Sequence, residues 1–323
     1  MPQTNGSTPT LAVVVPCYNE EASLPETHRT LSGLLDRLTA DGLIAGSSRI
    51  LYVDDGSTDS TWKLIAGLAA GSGNAAGLRL AANTGHQHAL MAGLEEAAPF
   101  CDAAVTIDAD LQDDPETIQA MIMRYREGDD VVYGVRRHRE DSPFKLLTAK
   151  GFYRLRDALG VKTVYNHADF RLLSSRAVGE LLRYDEANLF IRGIVPMLGF
   201  PQSKVFYDRT PRRHGESKYP VGKMLNFAAD GITSFSARPA RMILGCGLIF
   251  TLIALAILTY VLIRYFSGHT IAGWTSIILS IWFCTGIILL ALGIVGEYLA
   301  KVYMEVKRRP RWHIMERTGA TGK

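Results

Sequence analysis

Cysteine is scarce in this 323-residue chain: Cys17, Cys101, Cys246 and Cys284 are scattered, and no Cys-x-x-Cys pair occurs. Neither a disulfide framework nor a thiolate zinc site is therefore expected. The sequence has no Gly-x-x-x-x-Gly-Lys-Ser/Thr loop and no Gly-x-Ser-x-Gly elbow, which argues against a P-loop ATPase and against a serine hydrolase of that type. A strong charge of one sign is also missing, since Lys and Arg exceed Asp and Glu by a formal +3. No nucleic-acid partner is expected, and the local basic clusters suit phosphates and lipid headgroups better. Internal repeats and low-complexity tracts are absent, and the Ala/Gly/Ser stretch from Ala69 to Gly77 reads as a loop. The residues before Leu11 have no basic start and the apolar run to Val15 is short, so no secretory signal is expected.

What is present divides into a mixed part and an apolar part. Residues 1–10 read as an extension and 11–218 as an α/β domain, a division that suits a chain longer than the usual single domain. Met242 to Ile263 and Ile277 to Val295 carry no charged residue. Each approaches the ~20 residues that span a bilayer as helix. The expectation is a transmembrane hairpin over 241–299, with helices at about 242–263 and 275–297; the alternative is a pair of buried core helices.

Basic residues flank the hairpin at Arg238, Arg241, Lys301, Lys307, Arg308, Arg309 and Arg311, while its loop holds only Arg264 and His269. By the positive-inside rule this predicts an integral inner or plasma membrane protein whose domain and both termini are cytoplasmic. Residues 219–240 read as a juxtamembrane amphipathic segment, or equally as a helix packed on the domain. Residues 300–323 read as a basic tail whose Lys307 to Arg311 run suits anionic membrane lipids.

Within the α/β part, short apolar runs end repeatedly in polar loops. Leu11 to Pro16 leads to Cys17-Tyr18-Asn19-Glu20-Glu21, and Ile50 to Val53 leads to Asp54-Asp55-Gly56-Ser57-Thr58-Asp59. Ala103 to Ile107 leads to Asp108-Ala109-Asp110-Leu111-Gln112. Helical patterns follow the first two, through Leu24 to Leu38 and Trp62 to Leu68, and Asp113-Asp114-Pro115 reads as the start of another helix. Open α/β sheets place ligands at the carboxyl ends of their strands. Closely spaced carboxylates and an amide there offer oxygen ligands to a hard divalent cation with positions left for phosphate oxygens; such clusters also simply cap helices.

Those three motifs resemble the nucleotide-sugar-binding motifs of family-2 glycosyltransferases with the GT-A, Rossmann-like fold. Ala168-Asp169-Phe170-Arg171-Leu172, Phe190-Ile191-Arg192-Gly193 and Arg212-Arg213-His214-Gly215-Glu216-Ser217-Lys218-Tyr219 resemble the polyprenyl-phosphate branch of that family. The resemblance runs from about Leu11 to Trp312. It implies transfer of a hexose from a nucleotide-diphosphate sugar to polyprenyl phosphate, with glucose from UDP-glucose the first expectation and mannose from GDP-mannose the alternative. A homo-oligomer is also implied.

By that resemblance Asp110 and Gln112, with Asp108 beside them, would hold Mg²⁺ or Mn²⁺ against the leaving phosphates. Pro16, Tyr18, Glu20, Asp54, Asp55, Asp108 and Arg209 would line the donor site, although Glu20 also reads as a cap of the helix it opens. Arg213, Ser217 and Lys218 would bind the acceptor phosphate, and Arg212 and Lys218 would act in catalysis with Asp110 and Asp169. Asp169 would be essential, as a base or in positioning substrate; Arg171, two residues on, would pair with a carboxylate or a phosphate. Asn83-Thr84-Gly85-His86-Gln87-His88 precedes a helical pattern whose amino end favours an anion, and its histidines are assigned no metal.

Three rivals carry distinguishing marks. A processive polysaccharide synthase normally has a Gln-x-x-Arg-Trp motif, whereas Arg308-Arg309-Pro310-Arg311 precedes Trp312 here. A non-catalytic scaffold would transfer nothing, and a phosphoglycosyl transferase would release a nucleoside monophosphate.

Overall fold

The computed structural model describes residues 8–137, 167–186, 189–208 and 274–319, with isolated positions between 249 and 267. The chain forms two compact units. The first comprises Met1–Leu146, Thr163–Lys218 and Arg309–Lys323, the second Leu147–Lys162 and Tyr219–Arg308.

The first unit is built on an eight-stranded mixed sheet. Its strands are β1 (Leu11–Cys17), β2 (Arg49–Asp54), β3 (Ala75–Leu80), β4 (Ala103–Thr106), β5 (Val131–Arg136), β6 (His167–Ser174), β7 (Gln202–Tyr207) and β8 (Ile314–Thr318), in the spatial order β7-β5-β6-β4-β1-β2-β3-β8. The group β3-β2-β1-β4 is parallel. Its strands are near-continuous apolar runs, buried along nearly their whole length, as strands covered on both faces must be. Beyond β4 the direction reverses, because β6 runs antiparallel to both β4 and β5. This is the α/β, Rossmann-like sheet of GT-A type expected from the sequence. Its order changes direction between β1 and β4, which opens a crevice at their carboxyl ends.

Helices α1 (Leu24–Ala40), α2 (Thr61–Gly71), α3 (His86–Ala97) and α4 (Thr117–Arg126) connect the early strands. In α1 the residues Leu24, Leu31, Leu34, Leu35 and Leu38 recur at helical spacing and are all buried. Helix α3 lies close on the sheet: a Cβ on Gly93 would meet Val14 at 2.4 Å and Val53 at 2.7 Å. The short α5 (Ser175–Leu182) starts at Ser174, whose side chain accepts from the Ala177 amide. A single turn, α6 (Ile191–Ile194), precedes the 3-10 turn Val195–Leu198, closed by Gly199 with φ 71°.

The stretch Ala69 to Gly77 is not the loop its composition suggests. It holds the end of α2 and the start of β3. Its residues are small because the strand is crowded: a Cβ on Gly77 would fall 2.4 Å from Ile65 and 2.8 Å from Thr318. The expected helix start at Asp113 also shifts to Thr117, since Asp113 is buried in side-chain bonds of its own. Residues 300–323, read as a basic tail, contain β8, which pairs antiparallel with β3.

In the second unit the described element is α7 (Trp274–Val306), 33 residues long. Over the described residues, no helix is long and apolar enough to cross a membrane. The expected hairpin and the integral-membrane placement with cytoplasmic termini are corrected on that finding. Rather than ending near 297 as a span, α7 continues unbroken through Glu297, Lys301 and Glu305, and Lys301 lies 4.0 Å from Glu297. Residues 219–240 and almost all of 242–263 lie outside the described residues.

Candidate active site

The loops after β1 and β2 are tied to each other. Asn19, at φ 55°, donates its amide to Ser57 Oγ at 3.0 Å and accepts from the Thr58 amide at 2.9 Å. Asp55 accepts from the Thr84 amide at 2.7 Å, the Thr84 hydroxyl at 3.0 Å and the Gly85 amide at 2.9 Å. Both of its oxygens thus hold the loop that opens α3. Gly56, at φ 67°, lets this turn pass Ala82 and Asn83, where a Cβ would approach within 2.6 Å.

Asp54 is fully buried, and burial raises its pKa. One of its oxygens accepts from the Ser57 amide at 3.2 Å; the other lies 3.4 Å from Arg79 Nε. That contact counts as an ion pair by distance but lacks hydrogen-bond alignment, so the attraction is Coulombic. Pro16 is buried within β1, whereas Tyr18 is exposed at the mouth of the crevice. Glu20 accepts from the Ser23 hydroxyl at 2.5 Å, and its carbonyl accepts from the Ser23 and Leu24 amides in the turn that leads into α1.

The loop after β4 is held by Thr27 of α1, whose hydroxyl donates to the Ala109 carbonyl at 2.6 Å. Leu111 adopts φ 51°, turning the chain so that the Gln112 side-chain amide donates to Asp110 at 2.6 Å. Asp113 accepts from Arg136 at 2.9 Å and from the Tyr207 hydroxyl at 2.5 Å. It joins the acidic loop to β5 and β7.

The register of β4 with β6 pairs Ala103 with Ser174 and Thr106 with Arg171; continued, it sets Asp108 opposite Asp169. Thr106 Oγ1 fixes this end by donating to the Asp169 carbonyl. Asp169 is buried, paired with Arg171 on its own strand, and gripped by Arg192 of α6 at 3.1 Å from Nε and 2.8 Å from Nη2. His86, the first residue of α3, completes the group: its Nε2 lies 3.6 Å from Asp169 and 3.7 Å from Asp108.

The electrostatics of the two carboxylates differ in sign. Burial works against ionised Asp169, but His86, Arg171 and Arg192 overcome it and hold its pKa well below the usual carboxylate range. Withdrawal from bulk solvent beneath the surrounding loops, although the side chain keeps part of its surface exposed, pushes Asp108 up to about 6, reinforced by Asp169, Asp113 and Asp110 and opposed by His86. Burial also disfavours a charged His86, yet Asp169 and Asp108 raise its pKa. Arg171 is 1% exposed, and its Nε and Nη1 find no hydrogen-bond partner among the described residues.

The structure therefore brings Asp108, Asp110, Gln112 and Asp169 to one rim. It turns Asp55 toward backbone and leaves Arg209, Arg212, Arg213, Ser217 and Lys218 outside the described residues. Sequence reasoning gave His86 no role and Arg192 only a place in a motif. His86 had a signal in the glycine-preceded helix start, and Arg192 in its spacing from Phe190; their meeting at Asp169 depends on α3 and α6 converging in space. The Asp113–Arg136–Tyr207 group carried no local signal, because its members are far apart in the chain.

Residues 12–182 match the model of glycosyl transferase family 2. The chain belongs to that family. Among family relatives, an uncharacterized glycosyltransferase, YkoT, of Bacillus subtilis is 50% identical over 95% of this chain and 92% of its own. A bactoprenol glucosyl transferase of Shigella phage SfX is 34% identical over 95% of this chain and 99% of its own. A crystal structure of glucosyl-3-phosphoglycerate synthase from Mycobacterium tuberculosis, with Mn²⁺, UDP and phosphoglyceric acid, covers 70% of this chain and 76% of its own at 21% identity and a TM-score of 0.45. That likeness is below the level from which a ligand or mechanism can be carried over. Family membership makes the chain a glycosyltransferase that uses a nucleotide-sugar donor.

Proposed function

We propose that this chain moves glucose from UDP-glucose onto a polyprenyl phosphate with inversion, releasing UDP. The observation that carries the acceptor class is the grip on Asp169. A carboxylate held by two guanidinium groups is a poor proton acceptor, so it suits an acceptor that needs no base. A phosphate monoester is such an acceptor, because its second pKa is ~6. The near full-length relationship to the phage bactoprenol glucosyl transferase supports the same acceptor and the choice of glucose.

In this reading a phosphate oxygen of the acceptor attacks the anomeric carbon of the sugar as the bond from that carbon to the UDP oxygen breaks. The new glycosyl phosphodiester stays with the lipid and the electron pair leaves with UDP. Asp169, kept ionised, would stabilise positive charge developing on the sugar ring. His86 and Arg192 fix the direction of its oxygens.

A divalent cation, Mg²⁺ or Mn²⁺, fits the residues present. Asp108, Asp110 and Gln112 offer an all-oxygen set, and Asp108 stands beside the carboxylates of Asp110, Asp113 and Asp169, whose combined negative charge a cation would offset. Among the described residues no group of three His, Cys, Asp or Glu side chains is placed to hold a metal ion by itself, so the donor phosphates would have to supply the remaining ligands. Bound there, the ion would supply Lewis-acid stabilisation of the leaving diphosphate.

The test uses purified protein with undecaprenyl phosphate in detergent and separately labelled UDP-glucose, UDP-galactose, UDP-N-acetylglucosamine and GDP-mannose. Label from UDP-glucose in the organic phase, lost with EDTA and matched by UDP release, is the expected result. Label from GDP-mannose would change the donor, UMP release would change the reaction class, and no lipid-soluble label from any donor would reject the proposal.

A further inference from the structure

The segment between the second unit and β8 does more than close the sheet edge. Arg311 is largely buried; its Nη1 donates to the Tyr184 carbonyl at 3.0 Å and its Nε lies 3.6 Å from Asp185, both just past the end of α5. The same guanidinium sits over the Trp312 ring, 4.7 Å from the centroid. Trp312 in turn meets His88, with ring centroids 6.2 Å apart.

His88 belongs to the first turn of α3. Its Nδ1 bonds the Thr84 carbonyl at 2.9 Å, and Thr84 is the residue held by Asp55. Gln87 beside it accepts from the Ile191 amide at 3.1 Å, at the start of the turn that carries Arg192. Contacts thus run from Arg311 and Trp312 to the elements that carry two of the partners of Asp169, His86 and Arg192. Downstream, the segment is anchored by the Ala81 amide on the His313 carbonyl at 2.8 Å and by Trp62 Nε1 on Glu316 at 2.9 Å.

We infer that Arg311 and Trp312 are positioning residues for the transfer reaction: they seat the amino end of α3, and with it His86, against Asp169. The inference rests on the glycosyl-transfer reading for its kinetic consequence, but not for its structural one. A small displacement of a group that orients a reacting centre can lower turnover without loosening substrate binding, by ~10- to 100-fold.

The experiment compares Trp312→Ala, Trp312→Phe and Arg311→Met with Glu316→Ala, which loosens β8 through its bond to Trp62 and leaves the Arg311–Trp312 contact in place. Amide exchange at His88 and Ala89, which bond the Gly85 carbonyl, reads the seat directly. Trp312→Ala and Arg311→Met should speed that exchange and lower kcat by ~10- to 100-fold with the donor KM unchanged. Trp312→Phe should recover most of both, and Glu316→Ala should keep wild-type kcat.

Unchanged exchange at His88 and Ala89 in either Trp312→Ala or Arg311→Met overturns the inference. So does a loss of kcat in Glu316→Ala equal to theirs, which would reduce the effect to edge-strand stability. If Trp312→Ala does not fold, Arg311→Met carries the test. If the wild-type chain transfers no sugar, the transfer reading fails separately, and the exchange result still decides whether the seat exists.

Discussion

The acidic loops after β2 and β4 look alike in sequence and do opposite physical work. After β2, Asp55 satisfies three donors of the next loop, two of them backbone amides, and the buried Asp54 faces Arg79. After β4 and on β6, Asp108 and Asp169 face each other's charge and a shared histidine. In the first region the carboxylates hold backbone in place; in the second, charge is concentrated at the rim where a donor would bind. An Asp-rich turn at a strand end is therefore read as a candidate ligand rim from the charged groups its carboxylates face across the fold, as Asp108 faces His86 and Asp169, and not from its composition.

The largest break in that comparison is Asp169→Asn. Sugar transfer should fall by at least ~10²-fold, the scale of losing one preorganised electrostatic group. The fold should also suffer, because Arg171 would be left buried and uncompensated, a situation worth about 3–5 kcal/mol. Initial-rate assays with urea unfolding separate the two effects, and an unchanged unfolding midpoint would show that Arg171 does not depend on Asp169. Asp110→Asn is next: cation-dependent turnover should drop while stability holds, since Asp110 sits on the rim and is not buried. Equal loss of donor binding in both variants would refute their separate roles.

Asp55→Asn sharpens the contrast from the other side. An amide can replace one acceptor oxygen but sets an NH₂ group against the Thr84 or Gly85 amide, at a cost of about 1–3 kcal/mol. Loss of stability with turnover per folded molecule largely kept is the expected pattern. The reverse pattern, full stability with lost donor affinity, would return Asp55 to the donor site where the sequence alone had put it.

The parallel half of the sheet was legible because each of β1, β2 and β4 is an apolar run ended by a polar loop, a pattern that depends only on neighbouring residues. Arg171 was read as a partner for a carboxylate or a phosphate two residues on from Asp169, and the paired register of β4 and β6 then accounts for the approach of Asp169 to Asp108. Less was readable wherever composition reported on crowding. Ala75, Ala76 and Gly77 looked like a loop but are small because α2 and β8 press on β3. The edge strand β8 was hidden in a basic tail, since an exposed strand of five residues needs only a partner and no apolar run. Helix α7 gave a clear helical signal, but its apolar stretch was taken for a self-contained span when the helix continues into charged residues. His86 and Arg192 act across the fold, and no local pattern announces a meeting of α3 with α6.

The smallest expected effect separates the two facing carboxylates by pH. Asp108 has a folded pKa raised from 3.8 to about 6, so the folded state binds its proton more tightly than the unfolded chain does. Its contribution to stability is complete below 3.8 and is lost as pH rises through about 6. Asp169 has its pKa depressed, so its contribution is present above the unfolded value and is lost as pH falls through the folded one. The two slopes have opposite signs and occupy adjoining windows, that of Asp169 below 3.8 and that of Asp108 from 3.8 to about 6. The Asp108 side chain is 42% exposed, so solvent screens part of its effect and the slope it adds is shallow. In urea unfolding measured from pH 4 to pH 7, Asp108→Asn should remove a decline in stability and leave a flatter or rising profile. A profile identical to wild type would mean that Asp108 titrates as an ordinary surface carboxylate and that neither its withdrawal from solvent nor its facing carboxylates act on it.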